Sequence, residues 1–274
     1  MYRVWDKSKP PSGPFRLNRD SVRAQGLIAW YPMGGISGPP TVYDGLGSNH
    51  FTPTALTMSL GSCGEPVGVY NGSSSFLQSS VVPIYTAPLS VGVWFLKNSN
   101  SDTTSHGLSS IGDYTLGVSN PRRFQFDTAG GTGDTIRWLS VGSSVGVASK
   151  SGIVSKKWHH TIGMELSTTS RYVGLDGVLS SQDTTSATPG GTQNRFTIGC
   201  IFDSNVNQGF FGGQIGEVCV WNKSNYGSEG ALSDPGTRFE LWYPLRGPKW
   251  ISIPAAFARK PIVYSQAVNR AALW

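Results

Sequence analysis

Charge, carboxylates and cysteine are all sparse in this sequence. Charged side chains make up only 14% of its 274 residues, against about 25% in an ordinary soluble protein. That deficit excludes a helical bundle or coiled coil, whose solvent faces are built from Glu, Lys and Arg. No apolar run approaches the roughly eighteen residues of a membrane span, so no membrane partner is expected. The three cysteines, Cys63, Cys200 and Cys219, cannot all pair, and their spacing fits neither a zinc ribbon nor a redox CxxC. Free, mostly buried thiols are expected. The start Met1-Tyr2-Arg3-Val4-Trp5-Asp6 has no apolar core of a signal peptide, so assembly in a reducing cytoplasm is expected rather than secretion. Asn71-Gly72-Ser73 and Asn222-Lys223-Ser224 fit the glycosylation sequon, which carries no weight without secretion.

What is abundant is glycine (35), with 17 prolines and 9 Trp, 10 Tyr and 12 Phe that need burial. The texture is that of a folded, turn-rich, all-β protein. Residues 1–25 carry six basic and two acidic side chains and residues 240–274 five basic and one acidic, so the net charge of +6 belongs to the two ends. Basic ends on a near-neutral body point to arms that grip an acidic surface, not to a nucleic-acid groove. Three domains of organisation follow: an extended arm over 1–25, punctuated by Pro10, Pro11 and Pro14, a β body over 26–239, and a basic, apolar, proline-punctuated arm over 240–274.

Within the body, short β-type runs separated by Gly, Asn, Asp and Ser predict strands at Leu27–Tyr31, Gly68–Tyr70, Ser75–Ser79, Leu89–Leu96, Tyr114–Val118 and Arg123–Phe126. Further runs predict Thr135–Val141, Trp158–Leu166, Arg171–Leu175, Arg195–Ile201 and Gln214–Trp221, the last with a bulge near Gly216. In Trp158–Leu166 alternation sets Trp158, His160, Ile162, Met164 and Leu166 against His159, Thr161 and Glu165, giving one core face and one wet face. Leu89–Leu96 is apolar on both sides, as a central strand would be. Over Ser228–Leu241 a short helix at most is expected, because Pro235 and Gly236 interrupt it.

The order Gly26-Leu27-Ile28-Ala29-Trp30-Tyr31-Pro32, Asp44-Gly45-Leu46-Gly47-Ser48-Asn49-His50 and Val69-Tyr70-Asn71-Gly72-Ser73-Ser74-Ser75-Phe76-Leu77 resembles the opening of a laminin-G-like domain. The match continues through Ser90-Val91-Gly92-Val93-Trp94-Phe95, Trp158-His159-His160-Thr161-Ile162-Gly163, Gly174-Leu175-Asp176-Gly177 and Phe196-Thr197-Ile198-Gly199. It ends with the run from Phe210-Phe211-Gly212-Gly213 to Val220-Trp221-Asn222, so that it covers about residues 26–225. The resemblance implies a concanavalin A-like antiparallel β-sandwich jelly roll, with the terminal segments as extended arms. Such modules serve lectins, adhesion proteins, glycosidases and phage virions, and fold alone does not choose among these. Leu241-Trp242-Tyr243-Pro244 running into a basic apolar tail is similar to stand-alone laminin-G-like proteins of tailed-bacteriophage virions.

Catalysis is not expected. A concanavalin A-like hydrolase sets two carboxylates on one strand so that acid and nucleophile flank one sugar. Here Glu65, Glu165, Glu217, Glu229 and Glu240 each lack another acidic residue within four positions. Adjacent strand residues His159 and His160 point to opposite faces and cannot share an ion. Gly130-Gly131-Thr132-Gly133 lacks the Lys-Ser/Thr and helix of a phosphate loop. No cofactor is expected. For the calcium that the resembled modules often hold, the candidates are Asp44, Asn49, Asp176 and Asp203, although Asp and Asn also serve turns. For stacking on a glycan they are Trp138, Tyr172 and Phe202, most tryptophans being core or interface.

The expected function is a non-enzymatic bacteriophage virion protein, a capsid decoration protein assembled in the host cytoplasm. Trp5, Phe15, Trp250, Phe257 and Trp274 would fill pockets on a major capsid or other virion protein, with Arg3, Arg16, Arg19, Arg246, Lys249, Arg259 and Lys260 pairing with its acidic groups. A homo-oligomer, such as a trimer on a local three-fold, suits that role. The alternative is a glycan-binding adhesin or receptor-binding fibre component that recognises polysaccharide, and a glycoside hydrolase is the third reading.

Overall fold

The computed structural model describes residues 15–17, 25–33, 41–46, 49–60, 66–100, 104–113, 123–129, 133–190, 193–203, 206–223 and 242–244. The strand expected over 114–118, the short helix over 228–241, Cys63 and, apart from residues 15–17, 25 and 242–244, both arms lie outside these residues. Of the side chains expected to grip a partner, none is among those described.

The first strands are β1 (Phe15–Leu17), β2 (Leu27–Pro32), β3 (Thr52–Thr54), β4 (Thr57–Leu60), β5 (Pro66–Asn71), β6 (Phe76–Ser79), β7 (Leu89–Lys97), β8 (His106–Gly112) and β9 (Arg123–Thr128). They continue with β10 (Thr135–Val141), β11 (Val145–Ser151), β12 (Trp158–Ser167), β13 (Ser170–Leu175), β14 (Val178–Leu179) and β15 (Arg195–Ile198). The last are β16 (Ile201–Asp203), β17 (Val206–Gln208), β18 (Gly212–Trp221) and β19 (Trp242–Pro244). Seven make one sheet in the order β11-β10-β9-β8-β15-β6-β3, and eight make a second, β14-β13-β12-β7-β18-β5-β4 with β2 also on β18. Neighbours are antiparallel, so the architecture is the all-β antiparallel sandwich that the resemblance implies. The core between the sheets is aromatic, with Phe95, Phe126, Trp138, Phe196 and Phe211 buried. Among the described residues no helix is long and apolar enough to cross a membrane.

The faces of β12 differ from the expectation. Thr161, Gly163 and Glu165 lie opposite Val93, Val91 and Leu89 of β7, whose side chains belong to the inter-sheet core. The polar-looking side therefore faces inward, and the ring of Trp138 rests on Gly163, where a Cβ would come within 2.0 Å of it. Ile162 and Met164 point the other way and are buried under Trp30, Tyr172 and Trp221 in a second apolar cluster on the outside of the sheet. Both faces are dry, and alternation could not tell which one met the other sheet.

The bulge expected near Gly216 is present as a register shift between Ile215 and Glu217. It divides the outer edge of β18, whose first half pairs with β5 and second half with β2. The predicted run Arg195–Ile201 breaks at Gly199, where φ is +83°, a left-handed value that glycine adopts without strain. The chain then folds β16 and β17 back as a hairpin over β8. Strand β8 had no apolar signal because the hairpin needs a low floor: a Cβ on Gly107 would sit 2.4 Å from the Cys200 backbone, and one on Gly112 would sit 2.9 Å from the Phe202 ring. Cys200 and Cys219 are buried and form no disulfide, and burial pushes the Cys200 thiol up to about 12.

Candidate binding site at one end of the sandwich

At the end of the sandwich where β7 begins and β12 finishes, a cleft of about 440 Å³ opens, within the roughly 300–1,000 Å³ of small-molecule sites. One wall is the loop ahead of β7, with Tyr85, Thr86 and Ala87, and the other is the turn after β12 together with residues 187–190. Phe124 and Glu165 line its base. Tyr85 is 43% exposed. Thr86, Thr168 and Thr188 are exposed too, and among the described residues nothing hydrogen-bonds to their hydroxyls.

The second wall is held from beneath by Arg171, which is fully buried. Its Nε donates to Glu165 Oε2 at 3.2 Å and its Nη2 to Glu165 Oε1 at 3.2 Å. Nη2 also donates to the Thr168 carbonyl at 2.9 Å, while Nη1 donates to the Thr185 carbonyl at 2.8 Å and to Asp183 Oδ2. The Ala187 amide reaches the same Thr168 carbonyl at 2.9 Å, so one guanidinium and one amide tie the two segments of this second wall together. Gly146 of β11 has no Cβ because the guanidinium occupies that space, 1.8 Å from where a Cβ would stand.

Glu165 accepts further bonds from Trp138 Nε1 at 2.9 Å and Ser140 Oγ at 2.6 Å. Burial pushes its carboxyl above the ordinary glutamate value, opposed by the donors of Arg171, Ser140 and Trp138. For Asp183 burial acts in the same direction, but the hydrogen bonds from Thr185 and Arg171 outweigh it and hold the carboxyl below its ordinary value. Glu165 is the one carboxylate among the described lining residues, and it is 1% exposed with its oxygens turned to protein donors. The common route of glycoside hydrolysis uses two carboxylates flanking the scissile bond.

The aromatics expected to stack on sugar are elsewhere, which corrects that expectation. Trp138 is 1% exposed in the inter-sheet core, Tyr172 is 8% exposed in the outer cluster, and Phe202 is 2% exposed over Gly112. A stacking platform needs an exposed ring, and each of these fills a gap between layers instead. Trp30, Trp94, Trp158 and Trp221 are likewise buried. No sequence pattern marked Tyr85, which stands in a loop. Its nearest signal was a lone tyrosine ahead of a strongly apolar strand.

The four calcium candidates do not form one site. Asp176 takes His159 Nδ1 at 2.7 Å and the His160 amide at 2.9 Å, and Asp203 pairs with Arg123 at 2.7 Å. Asp44 shares a loop with Asn49; its Oδ1 accepts from the Trp30 and Leu46 amides at 3.0 Å each, leaving Oδ2 buried without a partner. Among the described residues no three of His, Cys, Asp and Glu converge as metal ligands. His159 faces inward and His160 outward beside the Trp94 ring, so the pair is divided as the strand period requires.

The outer face of the seven-stranded sheet carries a second polar cluster. Arg137 grips Asp127 with two bonds of 2.9 and 2.7 Å and reaches Ser105 at 2.7 Å, and Arg123 bonds Gln125 at 2.6 Å.

Two facing antiparallel sheets with a walled, end-on cleft are the architecture of a lectin-type sandwich. A family model described as the Concanavalin A-like lectin/glucanases superfamily matches residues 71–229, more than half of the sequence, and the chain belongs to that family. No curated protein has a matching sequence. Among solved structures the chain is similar to domain 4 of AbnA, a GH43 extracellular arabinanase from Geobacillus stearothermophilus, in complex with arabinotriose. The identity is 18% and the TM-score 0.51, covering 76% of this chain and 97% of that one. It is also similar to the receptor-binding domain of a botulinum neurotoxin C/D mosaic serotype, at 9% identity and TM-score 0.53 over 73% of this chain and 48% of that one. A mutant Trypanosoma rangeli sialidase displaying trans-sialidase activity matches at 12% identity and TM-score 0.58 over 78% of this chain. The chain spans 34% of that sialidase and about half of the neurotoxin domain. At these identities the likeness is one of fold.

Proposed function

We propose that the chain is a non-enzymatic, lectin-like jelly roll that binds polysaccharide and is displayed on a bacteriophage capsid as a decoration protein. The observation that carries the binding half is the cleft itself: an exposed tyrosine and unengaged hydroxyls stand over a lone carboxylate that protein donors already saturate. The arabinanase domain that shares its fold was solved with arabinotriose, and the neurotoxin domain is a receptor-binding one, which supports a recognition role. Full-length protein should be retarded in native gels cast with soluble polysaccharide while releasing no reducing ends from it. Turnover that disappears in Glu165→Gln would establish the glycoside hydrolase instead.

The anchoring half rests on a different observation. Strands β1 and β19 pair antiparallel, Phe15 with Pro244, Arg16 with Tyr243 and Leu17 with Trp242, so the two arms meet at these residues. Together the arms carry the whole basic excess of the sequence, and an acidic capsid surface is the partner that such a charge fits. Copies arranged as a trimer on a local three-fold would multiply the grip. The test is co-sedimentation with particles lacking this component, across a salt series. Wild-type chain should bind, and more weakly at high salt; replacing Arg246, Lys249, Arg259 and Lys260 by Gln should abolish binding. Equal binding by both forms would remove the arms from the function.

A further inference from the structure

We infer that the end cleft takes a neutral saccharide stacked on Tyr85, and that it rejects sugars carrying carboxylates. This rests on the glycan-binding reading above and narrows it to a ligand class and a residue.

The charge around the cleft decides the class. No lysine or arginine is among its described lining residues. The cation behind it, Arg171, is fully buried and already serves the carboxylates of Glu165 and Asp183. A sialic or uronic acid entering there would give up water around its carboxylate, meet no free cation among the described lining residues, and approach Glu165. A neutral sugar pays no such cost. Its hydroxyls find those of Thr86, Thr168 and Thr188, which can each donate and accept, and its apolar C–H face finds the exposed ring of Tyr85. Because Arg171 fixes the wall that carries Thr168 and Thr188 before any ligand arrives, less ordering remains to oppose binding.

The experiment titrates full-length protein by calorimetry and by NMR with a neutral panel (maltose, cellobiose, lactose, xylobiose, arabinotriose) and an acidic panel (3′-sialyllactose, digalacturonate). Wild type should bind at least one neutral member and neither acidic one. Tyr85→Ala should weaken that binding about tenfold, the scale of one aromatic contact, and Tyr85→Phe should retain it. Unchanged thermal melts of both variants confirm that the loop substitution leaves the fold intact. Preference for an acidic sugar, or neutral binding indifferent to Tyr85→Ala, would overturn this inference and leave the glycan-binding reading standing. Failure of both panels overturns the two together.

Discussion

Two arginine–carboxylate clusters, one beneath the end cleft and one on the outer face of the seven-stranded sheet, use the same chemistry in different surroundings. Arg171 is fully buried and its guanidinium meets two carboxylates and three backbone carbonyls. Arg137 grips Asp127 with comparable geometry, but its side chain is 26% exposed and water can replace what it loses. The difference teaches that geometry alone does not rank a polar contact; what remains desolvated when it breaks does.

Removing each arginine breaks that comparison open. Arg171→Met should cost about 3–5 kcal/mol in urea unfolding, because Glu165 would stay buried as a charge with only Trp138 and Ser140 as donors. Arg137→Gln should cost less, about 1–3 kcal/mol, since Asp127 keeps Gln125 as a donor and gains water on the vacated side. Equal losses would mean that exposure does not distinguish the clusters. The smallest effect is in acid. The Asp183 carboxyl is held below its ordinary value, so its contribution is complete above the ordinary aspartate range and is lost as pH falls through the lowered value. Thermal melts from pH 7 to about pH 3 should therefore fall more steeply for wild type than for Asp183→Asn, with the two curves converging at the acid end.

How far the site could be read in advance follows from the same physics. Alternation placed β10, β12 and β18, because strands buried against a sheet must repeat every second residue. The break at Gly216 was legible for the same reason. Strands β8 and β11 were not, since one is small and polar to seat the β16–β17 hairpin and the other is a partly exposed edge. Glu165 falls on the side of β12 expected to be wet, and Trp138 and Phe202 among the expected sugar platforms, because a single strand carries no record of which face another layer will cover.

The amino-acid sequence by itself determined the class, an all-β chain with basic ends, because strand period, turn residues and charge are local quantities, and the order of its motifs resembles a concanavalin A-like domain. Tertiary structure alone decided the site. It turned the polar side of β12 inward, buried the three aromatics expected to meet sugar, and left Tyr85 exposed at a cleft that Arg171 braces. Burial is set by the layer that arrives from elsewhere in the chain, and no residue encodes it alone.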